Sequence, residues 1–258
     1  MTPPLVFITG ASSGIGQALA ARYAKAGWRL ALASRRVGEI ENWAQAKGLG
    51  AERCIAYAAD VQQIDSIVGA GQRCIAEQGL PDVVIASAGV SIGMDTEVRG
   101  DLDMMRDMFE LNNVGTAATF HPFLGGMRAR GSGTLVGIAS VSAIRGLPGH
   151  GAYCASKAGV VAYCESLRGD CRGSGVKVVT ILPGYVATPL TAGNTYGMPF
   201  MLQPDEFAER CAEAGITEEP VYIVSCSHRT IVYKALCLPT ALAKFYEDLE
   251  NPAYETGL

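Results

Sequence analysis

Leu5-Val6-Phe7-Ile8-Thr9 runs without a break into Gly10-Ala11-Ser12-Ser13-Gly14-Ile15-Gly16, and a helical pattern begins there. Five apolar or β-branched residues predict a short strand. Three glycines in the next seven residues predict a tight turn into a helix. Gly10 suits the turn that leaves the strand, Gly14 a close approach of backbone to a ligand, and Gly16 a helix packed close to the sheet. The free N–H groups and the positive dipole end of such a helix suit an anion such as a pyrophosphate. Gly10, Ser12, Ser13, Gly14, Ile15 and Gly16 are therefore candidate binding residues. The spacing is Gly-x-x-x-Gly-x-Gly rather than Gly-x-Gly-x-x-Gly, at the first strand and the first helix of the chain.

Downstream of this turn the same alternation continues. Strands are expected at 5–9, 29–34, 53–58, 82–87, 134–139, 177–182 and 221–225. Helices are expected at 14–26, 37–47, 62–78, 102–130 and 152–172. Val83-Val84-Ile85 and Val178-Val179 are continuously apolar, as strands buried on both faces of a parallel sheet must be. The pattern predicts an α/β, Rossmann-like, doubly wound parallel sheet of about seven strands with helices on both faces. No repeat, low-complexity tract or flexible linker divides the 258 residues, so residues 1–258 are expected to form one domain.

Composition narrows the function. Hydrophobic residues make up 49% and charged residues 18%, which excludes a disordered chain. The net charge of −4, with no basic run, gives no footprint for nucleic acid. No apolar stretch approaches the ~18 residues of a membrane span. The N-terminal residues lack the basic flank and long apolar run of a signal peptide. The eight cysteines form no CxxC pair, so neither a metal site nor a disulfide framework is expected, and a reducing, cytoplasmic setting is.

The chemistry is expected in the second half. Tyr153-Cys154-Ala155-Ser156-Lys157 places a phenol and an ammonium four residues apart, neighbours on one helix face. A free tyrosine has a pKa of about 10, and a nearby ammonium favours the phenolate. The pair is a general acid/base for a carbonyl or an alcohol. Ser140 lies thirteen residues before Tyr153 at the end of a buried strand, where its hydroxyl could reach a substrate oxygen; Ser142 is a nearby competitor. Asn112 falls in the middle of a predicted long helix, a poor place for asparagine. Pro183-Gly184-Tyr185-Val186-Ala187-Thr188-Pro189 follows the sixth strand.

Taken together in this order and spacing, Thr-Gly-x-x-x-Gly-x-Gly, Asn112, Ser140, Tyr153-x-x-x-Lys157 and Pro183-Gly184 resemble the short-chain dehydrogenase/reductase family, in its compact single-domain form, over residues 5–190. The resemblance implies an oxidoreductase that moves a hydride between a nicotinamide cofactor and a carbonyl or secondary alcohol. Tyr153 would transfer the proton. Lys157 would lower the Tyr153 pKa and hold the nicotinamide ribose. Ser140 would orient the substrate carbonyl, and Asn112 would hold a water linking Lys157 to solvent. Thr188, with Val186 beside it, would anchor the carboxamide, and Asp60 and Val61 would contact adenine. Ala86-Ser87-Ala88-Gly89 stands where the family often has Asn-Asn-Ala-Gly; Ala88 and Gly89 still permit close cofactor approach, while the absent amides put a sheet-bracing contact in question. The resemblance also implies a homodimer or homotetramer paired through the helices at 102–130 and 152–172. Residues 190–215 would form a substrate lid, whose Met198, Phe200, Met201 and Leu202 suggest a partly apolar substrate. Residues 211–258 form a divergent C-terminal segment.

The end of the second strand bears on cofactor choice. An acid there would bind the ribose 2′-hydroxyl of NAD. This chain has Ser34-Arg35-Arg36 instead, uncharged and then cationic, as a 2′-phosphate requires. NADP(H) is expected over NAD(H), with Arg35 as the principal phosphate contact. The competing reading is a non-catalytic dinucleotide sensor on the same fold. Such a protein would have no need for the complete Asn112, Ser140, Tyr153 and Lys157 set.

Overall fold

The computed structural model describes residues 2–194, 197–198, 201–213 and 221–224. Phe200 of the expected lid, Ser225, Cys226, His228, Cys237 and most of the 211–258 segment lie outside the described residues.

Seven strands are found in them: β1 (Leu5–Thr9), β2 (Arg29–Ser34), β3 (Cys54–Ala58), β4 (Val83–Ala86), β5 (Gly133–Ile138), β6 (Val176–Pro183) and β7 (Val221–Val224). They form one sheet in the order β3-β2-β1-β4-β5-β6-β7, every pair parallel. Successive side chains on a strand face opposite ways, and β1 divides its residues accordingly. Leu5 and Phe7 enter one core, where the Phe7 ring lies 4.8 Å from that of Phe123; Val6 and Ile8 enter the other.

Helices α1 (Gly14–Lys25) and α2 (Val37–Ala46) cover the second face, and α3 (Ile64–Gln78) covers the first. The single long helix expected at 102–130 is two. Helix α4 (Arg99–Phe109) passes through a π-helical turn, Glu110–Val114, into α5 (Gly115–Arg130). Asn112 and Asn113 sit in this wide turn, with side chains bonded to other elements. These partnerships favour a turn that a regular helix would not offer. Helix α6 (Gly151–Asp170) carries Tyr153 and Lys157.

The stretch expected as a lid, 190–215, is divided. Residues 204–213 form α7 (Pro204–Glu213), whose Phe207, Ala208 and Cys211 are buried in the core beneath the sheet. Glu209 of α7 pairs with Arg22 and Lys25 of α1 at 2.7 and 3.0 Å. Residues 204–213 of the expected lid are therefore anchored to the body of the fold.

The strand order reverses between β1 and β4, where crossovers leave in opposite directions. The carboxyl ends of strands at such a point leave a crevice for a ligand.

Candidate active site

A cleft of about 710 Å³ opens there. Gly10, Ser12, Ser13, Gly14, Ile15, Gly16, Ser34, Arg35, Arg36, Asp60, Val61, Ala88, Gly89, Ser140, Tyr153, Lys157, Pro183, Gly184, Val186 and Thr188 all line it. Of the candidate catalytic and cofactor-binding residues, Asn112 alone does not; it lies behind the wall, 1% exposed, and the described residues Met198, Met201 and Leu202 of the expected lid do not line the cleft either.

The glycine turn is built by close approach. Gly10 has φ of 68°, and a Cβ on it would come within 2.8 Å of the Ala88 backbone. Gly16 lies against the turn itself rather than the sheet, since a Cβ there would stand 2.5 Å from the Gly10 carbonyl. Helix α1 starts with no side-chain cap and no acid in its first turn, so its amino end is suited to an anion. The bracing contact placed in question by Ala86-Ser87 is supplied by Thr9. Its Oγ1 accepts from the Ser87 and Ala88 amides at 3.2 and 3.4 Å and donates to the Ile85 carbonyl at 3.5 Å.

At the end of β2 the two arginines part. Arg35 is exposed, with Nη1 3.9 Å from Asp60 Oδ2. Arg36 turns back over the glycine turn. Its Nη2 donates to Ser12 Oγ and Ser13 Oγ, both at 3.0 Å, and its Nε reaches Ser12 Oγ at 3.3 Å. Ser34 Oγ donates to Ser12 Oγ at 3.0 Å and accepts from the Arg36 amide. Sequence favoured Arg35 as the principal phosphate contact; both arginines line the cleft, Arg35 faces Asp60, and Arg36 is the guanidinium held over the hydroxyls. The reach of a side chain around a strand end is set by its backbone direction, which sequence spacing does not reveal.

At the other end of the cleft, Lys157 is 5% exposed. Its Nζ donates to the Ile138 carbonyl at 2.9 Å and lies 5.9 Å from the centre of the Tyr153 ring. Burial disfavours the ammonium and pushes its pKa down to about 8, so the group is still mostly charged at neutrality. Gly89 leaves room for it: a Cβ there would lie 3.2 Å from Lys157 Nζ and 3.3 Å from Asn112 Oδ1. The side chain of Asn112 is fully engaged in bracing. Oδ1 accepts from the Val90 amide at 3.0 Å; Nδ2 donates to the Val90 carbonyl at 3.1 Å and to Ser156 Oγ at 2.9 Å. Its backbone carbonyl accepts the Thr116 hydroxyl at 2.7 Å.

Ser156 was not singled out from sequence. It is 0% exposed, accepts from Asn112 and donates to the Tyr153 carbonyl at 2.8 Å, tying the π-helical turn to α6. The available signal was its place three residues after Tyr153, on the same helix face. Ser140 lies two residues past β5, at the start of the short turn Val141–Ala143, and is 8% exposed; Ser142, within that turn, donates to it. Arg145, Leu147, His150 and Tyr185 line the outer cleft. The six described cysteines are free and buried, and among the described residues no cluster could hold a metal ion. No helix among them is long and apolar enough to cross a membrane.

Comparison with known proteins agrees with this geometry. The family model for short chain dehydrogenases matches residues 4–197. An uncharacterized oxidoreductase of Myxococcus xanthus is 36% identical over 253 residues, covering 97% of this chain and 94% of its own. A dehydrogenase/reductase SDR family protein 7-like of Drosophila melanogaster is 33% identical over 248 residues, covering 89% and 74%. An alcohol dehydrogenase from the archaeon Thermococcus sibiricus, solved with 5-hydroxy-NADP, superimposes with a TM-score of 0.75 at 26% identity, covering 88% and 97%. A second family model, for class-II glutamine amidotransferases, matches residues 204–258. Its described part is α7 and β7, which belong to the same fold, and it covers too little of the chain to assign a family.

Proposed function

The chain belongs to the short-chain dehydrogenase/reductase family, and on that premise we propose that it transfers a hydride between NADP(H) and a small-molecule carbonyl or secondary alcohol. The observation that carries the reading is that Ser140, Tyr153 and Lys157 line the same cleft as the glycine turn, with Lys157 Nζ over the Tyr153 ring. The turn fits a dinucleotide, with its positive-φ glycines and the uncapped start of α1. Arg36, held by neutral hydroxyls, fits the 2′-phosphate of NADP(H) and supports that cofactor over NAD(H). The Thermococcus sibiricus relative, bound to an NADP derivative, points the same way.

When bound, the nicotinamide supplies the hydride chemistry. The chain's own residues do the rest. Tyr153 donates a proton to the substrate oxygen in reduction and accepts it in oxidation. Lys157 stabilises the phenolate through its charge. Ser140 donates to the same substrate oxygen and polarises it. Asn112 keeps the π-helical turn and the Val90 backbone in place and offers its carbonyl to a water behind Lys157. Thr188 and Val186 anchor the carboxamide, and Asp60 and Val61 border adenine.

The same reading makes the chain one domain and a homodimer or homotetramer. The pairing face lies along α4, α5 and α6, near which Val98 and Leu102 are exposed. The six described cysteines, free and buried, suit a cytoplasmic setting. The test is a panel of aldehydes and ketones with NADPH and NADH. Cofactor oxidation matched by loss of carbonyl, faster with NADPH, is expected. Tight cofactor binding with no turnover across the panel would instead support the sensor reading.

A further inference from the structure

Ser140 Oγ is the group meant to polarise the substrate, and its surroundings define what it can do. Two donors from one residue converge on it. The Ser142 amide reaches it at 3.2 Å, and Ser142 Oγ donates to it at 2.7 Å, a full-strength distance for an O–H to O bond. Both serines are buried, 8% and 7% exposed, so water does not compete freely for these bonds. A hydroxyl oxygen has two acceptor sites and one proton to give. Ser142 fills both acceptor sites. The only hydrogen bond left to Ser140 is the one it donates, and Ser140 lines the cleft.

We propose that Ser142 is a positioning residue that fixes Ser140 as a donor-only group toward the substrate oxygen, an inference that rests on the assignment of Ser140 to that oxygen. The arrangement has a consequence for proton traffic. A carbonyl or alkoxide oxygen can accept from Ser140 and Tyr153 together. An alcohol must give its proton to an acceptor, and Ser140 has no site free to take it. The alcohol proton is thereby directed to Tyr153. Ser142 also lines the cleft, and on this proposal it acts through Ser140, by deciding the direction of its hydroxyl, rather than in its place.

A mutant cycle with NADPH and 4-nitrobenzaldehyde, an activated carbonyl, tests this. Ser142→Ala keeps the backbone amide and loses the hydroxyl. It should lower kcat about tenfold, one hydrogen bond's worth in the transition state, with KM and NADPH affinity within about twofold. Ser142→Thr, which keeps the hydroxyl, should restore kcat. Ser140→Ala should cost about 10²-fold, and adding Ser142→Ala to it should cost nothing further, because a residue that acts only through Ser140 has nothing left to act on. An additional tenfold loss in the double variant would overturn the proposal, since it would mean direct contact with substrate or general damage. Unchanged kcat in Ser142→Ala beside an impaired Ser140→Ala would overturn it alone; unchanged kcat in Ser140→Ala would overturn the assignment of Ser140 with it. Neutron diffraction gives a readout free of turnover. A deuteron on Ser142 Oγ pointing at Ser140 supports the proposal, and one on Ser140 pointing at Ser142 contradicts it.

Discussion

The two ends of the cleft hold positive charge in opposite ways. At the β2 end, Arg36 stays near solvent and rests on the hydroxyls of Ser12 and Ser13. At the far end, Lys157 is buried against the Ile138 carbonyl, and burial pushes its pKa down to about 8. A solvated guanidinium on neutral partners costs the fold little and can exchange those partners for a ligand's phosphate. A buried ammonium destabilises the fold but acts on its neighbour through a medium of low dielectric, where a charge has its largest effect. The first arrangement suits binding and the second suits chemistry.

The largest effect should come from the buried end. Lys157→Met removes the charge beside Tyr153 and should lower kcat/KM by about 10²–10⁴-fold, the range of a lost acid/base contribution, in steady-state assays on any carbonyl found to turn over. The same variant should be the more stable protein at pH 7. A shift from 10.5 to about 8 makes the lysine cost folding about 3 kcal/mol below pH 8. The lost bond to Ile138 offsets about 1 kcal/mol of the gain, leaving about 2 kcal/mol. The slope has the same sign as for a carboxylate of depressed pKa, but here the group destabilises the fold at low pH instead of stabilising it at high pH. Between pH 8 and 10.5 the unfolded chain binds the proton that the folded one has released, so stability from this group rises with pH. The advantage of Lys157→Met should therefore shrink toward pH 10, and urea unfolding at pH 7 and pH 9.5 would reveal it. A variant less stable than wild type at pH 7 would break the contrast between the two ends.

The exposed end should show a smaller and more selective effect. Arg36→Ala is expected to weaken NADPH about 10–100-fold, as the loss of a charge-assisted contact implies, and NADH less than about threefold, in fluorescence titrations. Smallest of all should be Arg35→Ala. Its guanidinium faces Asp60 across 3.9 Å with its side chain exposed, and such pairs contribute up to about 1 kcal/mol. NADPH affinity within about threefold of wild type is expected. A greater loss than in Arg36→Ala would return the phosphate to Arg35.

Much of this was legible in the sequence because it depends on local period and spacing. The unbroken apolar runs marked the buried parallel strands, the glycines marked the turn after β1, and the four-residue interval put Tyr153 and Lys157 on one face of α6. What stayed hidden depends on distant partners. The π-helical turn that divides 102–130 exists because Asn112 bonds Val90 and Ser156, residues that sequence alone does not bring near. The choice between Arg35 and Arg36 depends on where the chain turns after β2. Helix α7 was within reach: Pro204 opens it, Asp205 and Glu206 fill its first turn, and Phe207, Ala208 and Cys211 share its buried face. The hydroxyl of Ser142 could be named from sequence, but its aim at Ser140 could not.

The central claim is that Tyr153 moves the proton while the rest of the cleft binds. Tyr153→Phe removes one oxygen and leaves the ring beneath Lys157. Side-by-side measurement of NADPH affinity and carbonyl turnover for this variant and wild type tests the claim most directly. The account predicts NADPH affinity within about twofold and turnover lower by about 10²–10⁴-fold. Turnover within tenfold of wild type, on the same carbonyl and at the same pH, would contradict it.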